Sequence, residues 1–298
     1  MKNSIKILFT LSVCSSFLFS QNIQTGLAFL KLGTSARSSG MGEAFTAIPN
    51  DHSAFTVNPS TIRSSDRSQL TLSHRNGFAE TTTEYLGATI PGEDVTIGFS
   101  ALTTSVNGIE VRLQPGEAEK TFDAKNGLIG IGAAMDISEN ISIGVTGKLL
   151  YEKIFVDEAG GYAFDGGVLY QVDDNLYFGF SATNIGHMGV LRSESSVVPA
   201  TLRVGTSYNT FLSPEIGLLT AGDVVKTIDD DGLHIQIGAE AIYNSLFALR
   251  AGYQTGYETK SFSGGIGVLY NIIRFDYAFV PNNGAFTPNH LFSLSFYL

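Results

Sequence analysis

The sequence predicts an all-β protein: a transmembrane antiparallel β-barrel of about fourteen strands, with an N-terminal hatch segment in its lumen. Three observations carry that expectation. Strand-length runs from Ser68 to Leu298 alternate apolar and polar residues, the period-2 pattern of a sheet with two unlike faces. Short turns alternate with longer polar connections, as in outer-membrane barrels. Residues 29–62 differ from everything after them, being rich in small residues.

Composition narrows the class. Charged residues make up 15% of the chain, well below the roughly 25% of ordinary soluble domains, so part of the surface is expected to face something other than water. The formal net charge of -10, with no basic run, excludes a nucleic-acid partner, whose phosphates need clustered Lys and Arg. With no tryptophan but 21 Phe and 12 Tyr, any aromatic girdle is built from Phe and Tyr.

Residues 1–20 read as a secretory signal peptide: Lys2 and Lys6 precede an apolar run over 7–13, and Ser20-Gln21 offers a cleavage point. The run is too short for a spanning helix, and no later stretch reaches the roughly 18 apolar residues one needs. Val13 is a poor fit to a lipoprotein box at Cys14. Cleavage after Ser20 removes that cysteine, the only one, and leaves no disulfide to form.

Residues 21–67 are expected to form the hatch. Gly33, Ser35, Ala36, Ser38, Ser39, Gly40, Gly42, Ala44 and Ala47 allow close backbone approach. Asp51 and Ser53 offer cap chemistry, and Asn58-Pro59 reads as a turn. The pattern Gly33, Ala36-Arg37, Gly40-Met41-Gly42, Ala44, Ala47, Asp51, Ala54 and Asn58-Pro59 resembles the N-terminal signature of the PorV/PorQ family and, more distantly, the FadL-type transporters. Val57 and Ser60 stand where the pattern has an aromatic residue and Ala. The resemblance implies a fourteen-stranded barrel in the outer membrane of a Gram-negative-type bacterium, with this segment folded into its lumen. It also implies a place in type IX secretion.

Residues 68–298 are expected to be the wall, with strands near 68–76, 82–91, 94–103, 126–136, 140–152, 161–173, 174–184, 199–209, 214–226, 232–244, 246–254, 260–270, 271–280 and 288–298. Long polar loops are expected at 104–125 and 186–198. A secreted β-sandwich would also alternate, but runs of ten or more residues suit tilted spanning strands better than the usual five or six of soluble sheets. The uncharged face is taken as lipid-facing. The other carries Lys148, Asp165, Arg203, Glu240, Arg250, Arg274 and Asp276, which either line a solute path or pair with one another and with Arg37 and Asp51. Gly98, Gly144, Gly179, Gly205, Gly238, Gly265 and Gly267 fall on that inner face and leave room for a plug. In the last strand Phe292, Leu294, Phe296 and Leu298 share one face and resemble a barrel-assembly signal. Arginine is expected to be milder at inward Ser293 than at Leu294.

No chemistry is legible. The five histidines show no metal-ligand spacing, no G-x-S-x-G elbow appears, and the glycine runs at 130–132 and 264–267 sit inside strands. No catalytic residue, metal or cofactor is expected. The resemblance implies a scaffold or carrier barrel holding secretion-system or secreted protein partners, surrounded by outer-membrane lipid. The alternative is a FadL-like passive channel with a hydrophobic ligand.

Overall fold

The computed structural model describes residues 27–112, 114, 116, 118–257, 260–283 and 287–298. The expected signal peptide and residues 21–26 lie outside them. No described helix is long and apolar enough to cross a membrane.

The wall begins with β1 (Gln69–Asn76), β2 (Thr81–Ile90), β3 (Val95–Val111) and β4 (Lys120–Ser138). It continues through β5 (Ile141–Ile154), β6 (Asp157–Gln171) and β7 (Leu176–Met188). A small hairpin, β8 (Val190–Leu191) and β9 (Glu194–Ser195), interrupts it. Then come β10 (Thr201–Ser213), β11 (Ile216–Thr227), β12 (His234–Tyr243) and β13 (Phe247–Thr255). The last three strands are β14 (Phe262–Tyr270), β15 (Ile273–Val280) and β16 (Asn289–Tyr297).

Without β8 and β9, fourteen strands pair with their neighbours into one closed antiparallel barrel. Closure matters because a sheet edge in lipid would leave backbone N–H and C=O groups unpaired. The seam is β1 against β16, from Gln69 opposite Tyr297 to Asn76 opposite His290. Leu298 adds a backbone bond from its N–H to the Ser68 carbonyl at 2.8 Å. All fourteen strands lie where the alternation puts them.

Alternation also sets the faces. Outward Ile131, Val145 and Leu249 are 63–66% exposed, whereas inward Thr96, Ser100 and Ser181 have no exposed surface. An apolar outside around a polar inside is the inverse of a soluble barrel and is stable only in lipid.

Two loop expectations are corrected. Residues 104–125 are not a loop: β3 and β4 run on as a projecting hairpin, joined from Ile109 opposite Phe122 to Val111 opposite Lys120, with a register shift after Val106. Similarly, residues 186–198 begin inside β7 and contain the β8–β9 hairpin. β5 and β6 project as well, turning through Phe155 and Val156 alone. On this side, long strands do the work expected of long loops. The opposite end of the barrel has short turns throughout, so by the outer-membrane rule it is the periplasmic end.

The N-terminal segment descends through the barrel. Leu27 and Phe29 pack with Tyr85, Leu102, Leu128, Leu150 and Met188 in the outer half. The short helix α1 (Ala36–Gly40) starts at Ser35, whose side chain accepts from the Ser38 N–H. It ends at Gly40, and Gly42, just past the Met41 cap, takes a φ of +62° that suits glycine. A 3-10 turn over Pro59–Ser64 is capped by Asn58, with Pro59 in the first turn where a missing N–H costs nothing. At the turn end Arg63 bonds Asp136 at 2.8 Å and the Gly92 carbonyl at 3.3 Å.

Candidate functional site

The site is the lumen, where the N-terminal segment meets the wall through three kinds of contact. The first is close backbone approach. A Cβ at Gly144 would strike Pro59, one at Gly179 the Thr46 carbonyl, and one at Gly238 the Met41 carbonyl. At Gly98 it would lie 2.7 Å from Phe55, and Gly265 faces Gly40, leaving 3.3 Å from its would-be Cβ to the Gly40 Cα. Gly205 and Gly267 differ in that their space is filled chiefly by the wall carboxylates Asp223 and Asp276.

The second is a set of polar contacts that satisfy backbone groups in the segment. Asp223 accepts from the Phe45 and Thr46 N–H groups at 2.9 and 3.0 Å. Asn58, fully buried, donates from Nδ2 to the Thr46 and Val168 carbonyls at 2.8 and 3.2 Å. Arg75 donates to the Gly33 carbonyl at 2.7 Å, and the Gly42 N–H donates to Ser263 at 3.1 Å. His52, also fully buried, bonds Thr89 through Nδ1. Burial holds its imidazole down to about 4, so it is neutral at pH 7.

The third contact is ionic. Arg37 bonds Asp51 at 2.6 Å and Glu240 at 2.5 Å, while Asp51 also meets Arg274 at 2.9 Å. Arg250 pairs with Glu240 and with Asp276 at 2.8 Å, and Asp276 meets Arg274 at 2.9 Å. Three arginines thus balance three carboxylates, with Arg37 and Asp51 on the segment and the other four on β12, β13 and β15. Burial works against the charge on Asp51, but Arg274 and Arg37 outweigh it and hold its carboxyl well below the usual range. A closed, neutral cluster of this kind holds two bodies in register, because removing one partner strands a buried charge.

Between the first turns of the segment and the wall lies a cavity of about 260 Å³. Leu30, Leu32 and Val57 line it from the segment, with Tyr85, Leu102 and Leu128 from the wall. Its polar side carries Arg203, Tyr257, His234, Lys260 and Glu43. His234 stacks on Tyr257 with ring centroids 4.0 Å apart, and the Lys260 ammonium lies 4.8 Å from the Tyr257 ring centroid. Glu43 sits 3.9 Å from both Lys260 and Arg75; burial opposes its charge, but these cations keep its carboxyl low.

The expected residues therefore divide. Arg37, Asp51, Glu240, Arg250, Arg274 and Asp276 are brought together. Lys148 and Asp165, 2.7 Å apart, form a separate pair, and Arg203 bonds Gln236 in the upper cavity. Phe292, Leu294 and Phe296 lie outward on β16, with Leu298 just beyond its end. Sequence reasoning missed Asp223, His52, Tyr257, Lys260 and Glu43. Strand parity was the available signal for Asp223. Glu43, at a φ of +60°, gave none.

Comparison with known proteins places this architecture. The family model for the type IX secretion system membrane protein PorP/SprF matches residues 148–290. The type IX association thus recurs, under a family description other than PorV/PorQ. No curated protein matches. Among solved structures, the CymD monoaromatic hydrocarbon channel is 14% identical with a TM-score of 0.66, covering 92% of this chain and 98% of its own. The Pseudomonas putida toluene transporter TodX is 13% identical with a TM-score of 0.64, covering 88% and 96%. A Pseudomonas aeruginosa FadL homologue is 12% identical with a TM-score of 0.50, covering 88% and 97%. The chain is an outer-membrane β-barrel, similar over residues 148–290 to the PorP/SprF family and in fold, distantly, to FadL-type barrels.

Proposed function

We propose that this barrel is a passive, normally closed channel for small hydrophobic solutes, with the N-terminal segment as its hatch. The observation that carries the reading is the cavity of about 260 Å³ between that segment and the wall, lined by Leu30, Leu32 and Val57 of the segment. An apolar cavity of about 150 Å³ holds benzene, so this one has room for a single substituted aromatic ring. The fold likeness to a monoaromatic hydrocarbon channel and to a toluene transporter supports the same solute class. Passage requires the segment to shift, since below the cavity it is packed against the wall and held by the ion cluster. The test is uptake of radiolabelled toluene by cells with and without the protein. Uptake that rises with expression and falls to background in a Leu102→Trp variant supports the channel. Uptake indifferent to the protein refutes it.

A second reading has its own support. The PorP/SprF match over residues 148–290, and the N-terminal resemblance to PorV/PorQ, favour a scaffold or carrier in type IX secretion. The projecting β3–β4 hairpin offers such a partner a surface. Under this reading, shortening the hairpin abolishes co-purification of a secretion component while the barrel still folds.

A further inference from the structure

The lipid-facing wall carries a concavity of its own. A groove of about 510 Å³ crosses the outer surface where β1, β2 and β3 meet the end of the chain, lined by Leu72, Leu86, Ala101, Phe275, Phe292 and Leu294. In its lining His74 and Glu84, direct cross-strand partners, point outward with 40% and 57% of their side chains exposed. His74 meets Glu84 through Nδ1 at 2.7 Å and Asn76 through Nε2 at 3.0 Å.

Their depth makes the pair unusual. His74 is five residues from the periplasmic end of β1, and Glu84 is six from that of β2. At a rise of ~3.4 Å per residue and a tilt of ~40°, they stand about 13–16 Å up an apolar band about 25 Å tall. Among the described strand residues, no other outward Asp, Glu, Lys, Arg or His lies within six residues of its strand's periplasmic end. Ionisable side chains facing hydrocarbon are costly and normally turn toward protein or water.

We propose that this groove is where two copies of the chain associate in the membrane, burying His74 and Glu84 between them. The charge pattern selects a second copy over other occupants. A dimer about a two-fold axis along the membrane normal needs a self-complementary patch. An acid and a base side by side at one depth are such a patch, because the rotation sets His74 of each copy against the second copy's Glu84. Flanking apolar residues, Leu72 and Leu86 among them, then meet their own equivalents.

Crosslinking of the full-length protein in liposomes tests this. A cysteine introduced as Leu86→Cys is expected to yield a dimer with a short bis-maleimide, whereas Val145→Cys on the opposite wall yields none. Replacing both polar residues (His74→Leu with Glu84→Leu) leaves a more apolar, lipid-compatible barrel. In the Leu86→Cys background it is expected to lower the dimer yield at least tenfold while the protein keeps its folded gel mobility. Equal crosslinking at both cysteine positions would overturn the proposal. So would a monomer carrying lipid in the groove, or an adduct in native membranes to a different protein only.

Discussion

Replacing Asp51 by Asn removes one charge from the balanced cluster while preserving side-chain shape and an oxygen that can still accept from the Ser53 N–H, 2.8 Å away. Arg37, Arg250 and Arg274 then face only Glu240 and Asp276, stranding one buried positive charge. Breaking a buried pair on one side costs about 3–5 kcal/mol. If half of that falls on the docked state of the segment alone, the undocked population rises by roughly 10- to 60-fold, at about 1.4 kcal/mol per decade. The assay is leakage of a small polar solute from proteoliposomes, paired with trypsin cleavage at Arg37, which is enclosed when docked. Both are expected to rise in the variant. Adding Arg37→Met restores the balance, so the double variant is expected to cost less than the sum of the two single changes. Unchanged leakage and cleavage in Asp51→Asn, or strict additivity in the double variant, would refute the idea that the cluster holds the segment.

Gly238→Ala is expected to lower stability by about 1–3 kcal/mol in a urea refolding titration, because the new methyl meets the Met41 carbonyl. Gly166→Ala, with nothing near its would-be Cβ, should shift the midpoint little. His52 adds a pH dependence: with its folded value near 4 against about 6.5 unfolded, it imposes no penalty above pH 6.5. As pH falls from 6.5 to 4 the unfolded chain takes up the proton first, so stability drops by up to roughly 3 kcal/mol. A His52→Asn variant should lack that part of the acid sensitivity in a pH series of refolding midpoints. Leu294→Arg places a cation in lipid and is expected to cost roughly 2–4 kcal/mol near the midplane. Contrary to the expectation from its inward face, Ser293→Arg is not the milder change: Ser293 is buried, bonded to Ser73 at 2.8 Å and to the Ala36 N–H at 2.7 Å. Arginine there must displace α1, and refolding should suffer at least as much.

What was legible follows from where the two faces of a strand see different surroundings. Runs such as 141–151 and 273–279 have lipid on one side and a polar lumen on the other, so their period-2 signal is strong. Above the lipid that contrast vanishes. Ser105, Asp123 and Lys125 lie on the outward face of β3 and β4, while Thr104 and Asn126 face the polar interior. With both faces polar, strand read as loop. The inner charges were legible by parity, but their partners were not. Arg250 meets Glu240 because β12 and β13 place them opposite each other, whereas Arg203 lies well above the cluster; strand pairing and barrel tilt decide that, and neither is written in one strand. The inner glycines gave the clearest long-range signal, since a bare position on a packed inner face needs something to fill it.

The most direct test of the account is equilibrium binding of toluene to the purified barrel by calorimetry, in wild type and in Leu102→Trp, whose larger ring fills the cavity between the N-terminal segment and the wall. The account predicts saturable one-site binding in the wild type that is lost in the variant, with the barrel still folded. No saturable binding, or binding untouched by Leu102→Trp, would contradict it.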